Sequence, residues 1–291
     1  MTPLIPYVEV APLVLWKANG PGADPISLKP FGLLVSAGVY LGAWVSSRYA
    51  RQRGVAPAAM ASFIYWVVVL GFVGGHVLDV VFYSPERLLS DPLSLLRLWD
   101  GLSSFGGFIG GALGALVWRL RQRTAILPYA DIVASGLPLG WLFGRAGCAV
   151  VHDHPGIASD AWFAVAYPGG GRLDLGLLEM ALTLPIAVGF LLLQRRAFPW
   201  GFFLGVLSCV YAPLRFGLDF LRIRTDVPAL DLYADRRFAE LTPAQWACLA
   251  LFAFGAWLLR RSLRSAHDDA AFRAPPLPAA FARAPALDAD R

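Results

Sequence analysis

Two arginines stand inside apolar stretches of this chain, each with neighbours that could do chemistry. Arg145 lies in the run Gly144-Arg145-Ala146-Gly147-Cys148, about two helical turns before His152-Asp153-His154-Pro155-Gly156. Arg215 has Tyr211 four residues before it and Asp219 four residues after, a spacing that gives all three one helical face. A charge at mid-membrane costs on the order of 2.5–3.5 kcal/mol on insertion scales, so each arginine needs a partner or a purpose. A planar guanidinium can fork onto a phosphate. Two of them on separate helices suit one multiply charged anion, and a phospholipid headgroup is the anion most available there. The alternatives are that Arg145 snorkels to the interface or pairs with Asp153, and that Arg215 and Asp219 form a self-satisfied ion pair.

His152, Asp153 and His154 are the densest titratable cluster in the sequence. An imidazole beside a carboxylate suits general-base work, and a pH-sensitive cap is the other reading. No metal is expected, because two histidines and one acid in a row send adjacent side chains apart. A third constellation, Gly74-Gly75-His76 with Asp79, places an imidazole and a carboxylate at i,i+3, as a buried pair or as a proton relay. Cys148, Cys209 and Cys248 form no CxxC or close pair, which supports neither a disulfide framework nor a zinc site.

The elements that must hold these groups are apolar runs. The 291-residue chain is 57% hydrophobic and 15% charged, with mean hydropathy +0.57, too apolar for a soluble core. Its net charge of +5 is scattered between apolar runs, which fits membrane topology and gives no nucleic-acid-binding stripe. Runs near the length that crosses the hydrocarbon core, roughly 20 residues, are Phe31 to Ser47, Met60 to Phe82, Ser103 to Trp118, Ile126 to Val151, Leu173 to Leu193, Phe202 to Phe220 and Gln245 to Leu259. Backbone satisfaction in lipid makes them helices. The expected fold is therefore all-α, a polytopic membrane protein of about seven transmembrane helices.

Gly106, Gly107, Gly110, Gly111 and Gly114 in the third run predict close approach of a neighbouring helix. Basic residues follow the first, third, fifth and seventh runs: Arg48, Arg51 and Arg53; Arg119, Arg121 and Arg123; Arg195 and Arg196; Arg260, Arg261 and Arg264. These loops should be cytoplasmic, with the N-terminus outside and the C-terminus inside. The stretch Met1 to Pro30 has no basic start, and Pro6, Glu9 and Pro12 interrupt it, so no cleavable signal peptide is expected. Three regions follow: an outer segment 1–29, a membrane domain 30–264 with outer loops 84–100, 152–172 and 221–242, and a disordered cytoplasmic tail 265–291 rich in Ala, Pro, Asp and Arg.

Taken together, these residues resemble the prolipoprotein diacylglyceryl transferase family. GRAGCAVVHDHPG, Gly144 to Gly156, is similar to the signature GRxGNFxNxExxG. PFGL at Pro30 to Leu33, GGHVLDVVFY at Gly74 to Tyr83, FGGFIGG at Phe105 to Gly111, Glu179, YAPLRFGLDFLR at Tyr211 to Arg222 and LTPAQ at Leu241 to Gln245 resemble further family segments in order. The resemblance implies a seven-span, monomeric enzyme of the bacterial inner membrane with a periplasmic N-terminus. It would move the diacylglyceryl group of phosphatidylglycerol onto the lipobox cysteine of a prolipoprotein, releasing glycerol 1-phosphate, with no cofactor and no metal. By position, Arg145 and Arg215 would grip the phosphate, with Tyr211, Asp219, Cys148, Gly156, Glu179, His76 and Asp79 lining the substrate site.

This chain departs from the family pattern at named places. Phe31 replaces the usual span-one tyrosine, Phe105 the histidine of HGG, Cys148 an asparagine, and Asp153 and Asp219 glutamates; His76 and Asp79 stand where arginine and tyrosine are usual. The histidine replaced by Phe105 is the side chain most naturally cast as the base for the thiol. His152 or His154, oriented by Asp153, is expected to take that role. The same lipid donor with another acceptor, or a phospholipid-binding protein without catalysis, are the alternative readings.

Overall fold

The computed structural model describes residues 5–16, 26–83, 85–97, 101–227, 234 and 237–282. Parts of the expected outer loops 84–100 and 221–242, and the tail beyond 282, lie outside the described residues. The chain divides into two compact units, Met1–Ser46 with Ala134–His267 and Ser47–Val133 with Asp268–Arg291.

Seven long helices fall on the seven apolar runs: α1 (Pro30–Gln52), α2 (Pro57–Leu78), α4 (Ser104–Gln122), α5 (Leu127–Val151), α6 (Leu175–Leu193), α7 (Phe202–Leu218) and α8 (Pro243–Arg264). Short α3 (Pro85–Ser90) and α9 (Ala279–Ala282) complete the set among the described residues. Five stretches, Pro30–Gln52, Pro57–Val81, Leu175–Leu193, Phe202–Leu221 and Pro243–His267, are long and apolar enough to cross a membrane. Helices α4 and α5 fall outside that set. Glycines and the Arg119 and Arg121 side chains dilute α4, and α5 carries Asp131 and Arg145.

The second unit is built on glycine. A Cβ placed on Gly74 of α2 would meet the Gly110 Cα of α4 at 2.7 Å, so the two backbones pack as the small-residue spacing predicts. Phe63, Trp118 and Tyr129 fill its core, with the Phe63 and Trp118 rings edge to face at 5.0 Å. His76 is fully buried here, its Nδ1 3.2 Å from the Gly101 carbonyl oxygen and its Nε2 3.1 Å from that of Ser94. The expected His76–Asp79 pair therefore does not form. The helix passes into a π-turn at Asp79–Tyr83, and both ring nitrogens of His76 are already engaged by backbone carbonyls. Residues 265–282, expected as part of a disordered tail, contain two 3-10 turns and α9, and Arg53 donates to the Phe272 carbonyl at 3.4 Å.

The first unit pairs α7 with α8 through Gly205, Ser208 and Gly255, where an added Cβ at Gly205 would stand 2.9 Å from the Leu259 nitrogen. Beside its helices lies a small sheet that alternation in the sequence did not announce: β1 (Ile5–Pro6), β5 (Val165–Tyr167), β6 (Gly170–Asp174) and β4 (Pro155–Ala158), in that order, with β2 (Leu13–Trp16) and β3 (Ile26–Leu28) as a separate hairpin. Strand β1 pairs parallel with β5, and the other two pairings are antiparallel. The expected segment 1–29 is thus partly strand, and its start is bound to the loop that follows α5.

Candidate active site

Helix α6 starts where Asp174 caps it, its Oδ1 accepting from the Leu177 backbone at 2.9 Å. One turn in, Glu179 is 2% exposed and collects partners from two other helices, α5 and α7. On its Oε1 converge the Trp141 indole N–H at 2.9 Å, the Tyr211 hydroxyl at 2.6 Å and the Arg145 Nε at 3.0 Å. Its Oε2 lies 3.9 Å from the Arg215 Nε. The two arginines that the sequence singled out thus meet on one carboxylate. Three hydrogen-bonding groups and a second guanidinium 3.9 Å away share a single negative charge, which satisfies a buried acid that would otherwise be costly.

Each guanidinium meets Glu179 through its Nε, and among the terminal nitrogens one on each arginine has a different partner. Arg215 sends one of these to Asp219, 2.7 Å away. The corresponding nitrogen of Arg145 meets the Cys148 sulfur at 3.8 Å, a weak acceptor. Arg145 also stacks over Trp141, its Cζ 4.8 Å from the ring centroid, so the cation is braced from behind. Asp219 is fixed in turn: Thr242 donates its hydroxyl to Oδ2. Thr242 caps α8 in a reciprocal box with Gln245, whose side chain reaches the Phe216 carbonyl at 3.2 Å. Arg222 lies 3.9 Å from Asp219 at the rim. Such an arrangement can hold a phosphate at the terminal guanidinium nitrogens and stabilise charge that grows there.

The sequence model of the prolipoprotein diacylglyceryl transferase family matches residues 22–261. The chain belongs to this family. A phosphatidylglycerol–prolipoprotein diacylglyceryl transferase of Chromohalobacter salexigens is 34% identical over 266 residues, covering 87% of this chain and 98% of the relative. A protein of the same name from Nitratidesulfovibrio vulgaris is 30% identical over 256 residues, 85% of this chain and 94% of its own. Another, from Rhizobium meliloti, is 28% identical over 236 residues, 75% and 82% respectively.

Of the residues that the sequence singled out, Arg145, Cys148, Glu179, Tyr211, Arg215 and Asp219 form one connected network. Asp153 does not orient His152. Helix α5 ends at Val151, and His152, at φ +53°, reverses the chain. Its ring goes to Asp174, Nδ1 to Oδ2 at 2.6 Å, and stacks on Tyr7 with centroids 4.5 Å apart. Tyr167 donates to the same Asp174 oxygen at 2.8 Å; burial, then Asp174, push its hydroxyl well above the usual tyrosine range, so it stays a donor. Asp153 pairs instead with His154, Oδ1 to Nδ1 at 2.7 Å. These two side chains fold back over the last turn of α5 and converge on Cys148, so the expectation that they diverge does not hold.

Gly156 is buried in packing, its carbonyl accepting from Arg172 at 3.1 Å, and an added Cβ would sit 2.7 Å from the Leu221 oxygen. His76 and Asp79 belong to the second unit. Sequence reasoning missed Trp141, Asp174 and Thr242. Trp141 stands four residues before Arg145 on the same helical face, Asp174 precedes an apolar run as an N-cap should, and Thr-Pro-Ala-Gln is a capping box in letters.

Proposed function

We propose that this protein transfers the diacylglyceryl group of phosphatidylglycerol to the cysteine thiol of a prolipoprotein at the Arg145–Glu179–Arg215 network. The observation that carries this reading is the convergence of both guanidiniums on Glu179, at 3.0 Å and 3.9 Å. Glu179 holds the arginines so that their terminal nitrogens take the lipid phosphate. The acceptor sulfur attacks the terminal glyceryl carbon, a C–S bond forms, and the C–O bond to phosphate breaks with its electron pair moving to the phosphate oxygen. Arg145 and Arg215 stabilise the charge that develops on departing glycerol 1-phosphate. Tyr211 and Asp219 position the two arginines.

The thiol must lose its proton first. His154, with 30% of its side chain exposed and Asp153 beside it, is the group we assign to receive it. His152 is enclosed by Tyr7, Tyr167 and Asp174 and serves the fold of the turn. Seven spans, a periplasmic N-terminus, a cytoplasmic tail and residence as a monomer in the bacterial inner membrane complete the proposal. It is supported by five apolar helices and by arginines after alternate runs. One feature favours a phospholipid-binding protein without catalysis: Phe105, where the family pattern has histidine, is 58% exposed and apolar.

Complementation separates the two. A strain depleted of its transferase, supplied with this protein, should again shift the mobility of a model lipoprotein, and Arg145→Ala should abolish the rescue. A well-inserted wild-type protein that binds phosphatidylglycerol yet gives no shift would favour the binding reading.

A further inference from the structure

The turn after α5 brings three different donor atoms together. The Cys148 sulfur, a carboxylate oxygen of Asp153 and a ring nitrogen of His154 all lie within 4.8 Å of one another. Cys148 is 7% exposed, whereas the Asp153 and His154 side chains are 37% and 30% exposed, so the corner is closed on the helix side and open on the other. The His154 Nδ1 is a buried atom; although it stands 2.7 Å from Asp153 Oδ1, the two are off the hydrogen-bond line, and this nitrogen has no hydrogen-bond partner among the described residues. A buried imidazole nitrogen facing a carboxylate and a thiol without a hydrogen bond of its own is arranged as a ligand.

We propose that Cys148, Asp153 and His154 form a site for a thiophilic divalent ion of the Zn2+ class, and that its occupation switches off His154. The inference rests on the reading of His154 as the base for the acceptor thiol. One sulfur, one nitrogen and one oxygen donor match the ligand set that selects such ions over Mg2+ or Ca2+. Ligand atoms on a tetrahedral Zn2+ sit roughly 3.3–3.7 Å apart, given metal–ligand bonds of about 2.0–2.3 Å. The widest separation therefore has to close by about an ångström or a little more and the 2.7 Å approach of Asp153 to His154 has to open, adjustments that two partly exposed side chains on a turn can supply. Thiolate and carboxylate together balance the charge of the ion, and Arg145, one of whose nitrogens is 3.8 Å from the Cys148 sulfur, already has Glu179 at 3.0 Å. The bound ion takes the imidazole lone pair that a proton would need, and the Cys148 proton leaves to water on binding.

The test uses the full-length protein in detergent micelles, freed of metal and titrated with Zn2+ against a chromophoric chelator. We expect one equivalent bound by the wild type. Cys148→Ser, Asp153→Asn and His154→Ala should each bind at least about 100-fold more weakly, the upper end of what loss of a mere supporting group costs. His152→Ala should bind as the wild type does. In parallel, Zn2+ should suppress lipid transfer by the wild type and a chelator should restore it. Equal binding by wild type and the three variants would overturn the site. Transfer that Zn2+ leaves unchanged, or that depends on Zn2+, would overturn the inhibitory role. Absence of transfer by the wild type both without metal and with Zn2+ would instead overturn the transferase reading, while the affinities would still decide whether the site exists.

Discussion

Helix α6 opens with two buried acids that do different work. Asp174 and Glu179 are 1% and 2% exposed, and both gather hydrogen bonds from residues distant in the chain. Asp174 caps the helix, holds His152 and takes the Tyr167 hydroxyl, and Tyr7 covers the ring from outside. Each donor there has a good acceptor and the cluster is closed. Glu179 gathers two guanidiniums, an indole and a phenol, yet leaves Arg145 with a nitrogen facing only a weak sulfur acceptor at 3.8 Å. Burial and pairing are common to both regions. A strong donor held in place without an equally strong acceptor is what sets the second apart as a site.

The same contrast runs through the 152–154 turn, where the His152 side chain is 9% exposed and that of His154 30%. His154→Ala should lower the transfer rate by about 10²–10⁴-fold, the usual worth of a general base, with the thermal unfolding midpoint unchanged. A fall in stability instead of rate would put His154 with His152. Glu179→Ala should destabilise the protein by about 3–5 kcal/mol, since it strands buried guanidiniums; Glu179→Gln, which keeps an acceptor, should recover part of the folding but not the transfer. Thermal unfolding followed by tryptophan fluorescence, beside the lipoprotein mobility shift, reads both. His152→Ala should cost about 1–3 kcal/mol, in keeping with loss of a buried charge-assisted hydrogen bond, and lower transfer only as far as it lowers the folded fraction. A rate loss larger than that would break the distinction. Thr242→Val should cost about 1 kcal/mol through the lost cap, with a small drop in transfer as Asp219 loosens; no change in stability would show that the capping box at α8 is dispensable.

Much of this was legible in the sequence because helices in lipid announce themselves. Leu127–Val151 lies where Ile126 to Val151 reads as apolar, and Ser104–Gln122 where Ser103 to Trp118 does. Arg145, Arg215, Tyr211 and Asp219 could be named because a charge in such a run is conspicuous and i,i+4 spacing fixes the face. The sheet was not legible: its strands have two to five residues, too few for alternation to show, and β1 pairs with a strand about 160 positions away. The partner of His152 was missed for a related reason. Asp174 is 22 residues on, and the left-handed backbone at His152, which no glycine or asparagine signals, turns the chain there. His76 shows the converse case, where a suggestive i,i+3 spacing was overridden by the Gly101 and Ser94 carbonyls, 25 and 18 residues away in the chain.

Distance measurement by solid-state NMR between labelled arginine guanidiniums and the phosphorus of phosphatidylglycerol addresses the claim on which the rest depends. With hydrogen bonds of about 2.7–2.9 Å to its oxygens, one phosphorus should dephase both Arg145 and Arg215, each signal assigned by its loss in the corresponding lysine variant. A phosphorus that couples to one of the two arginines and not the other, or to neither while the lipid is bound, would contradict a shared phosphate clamp.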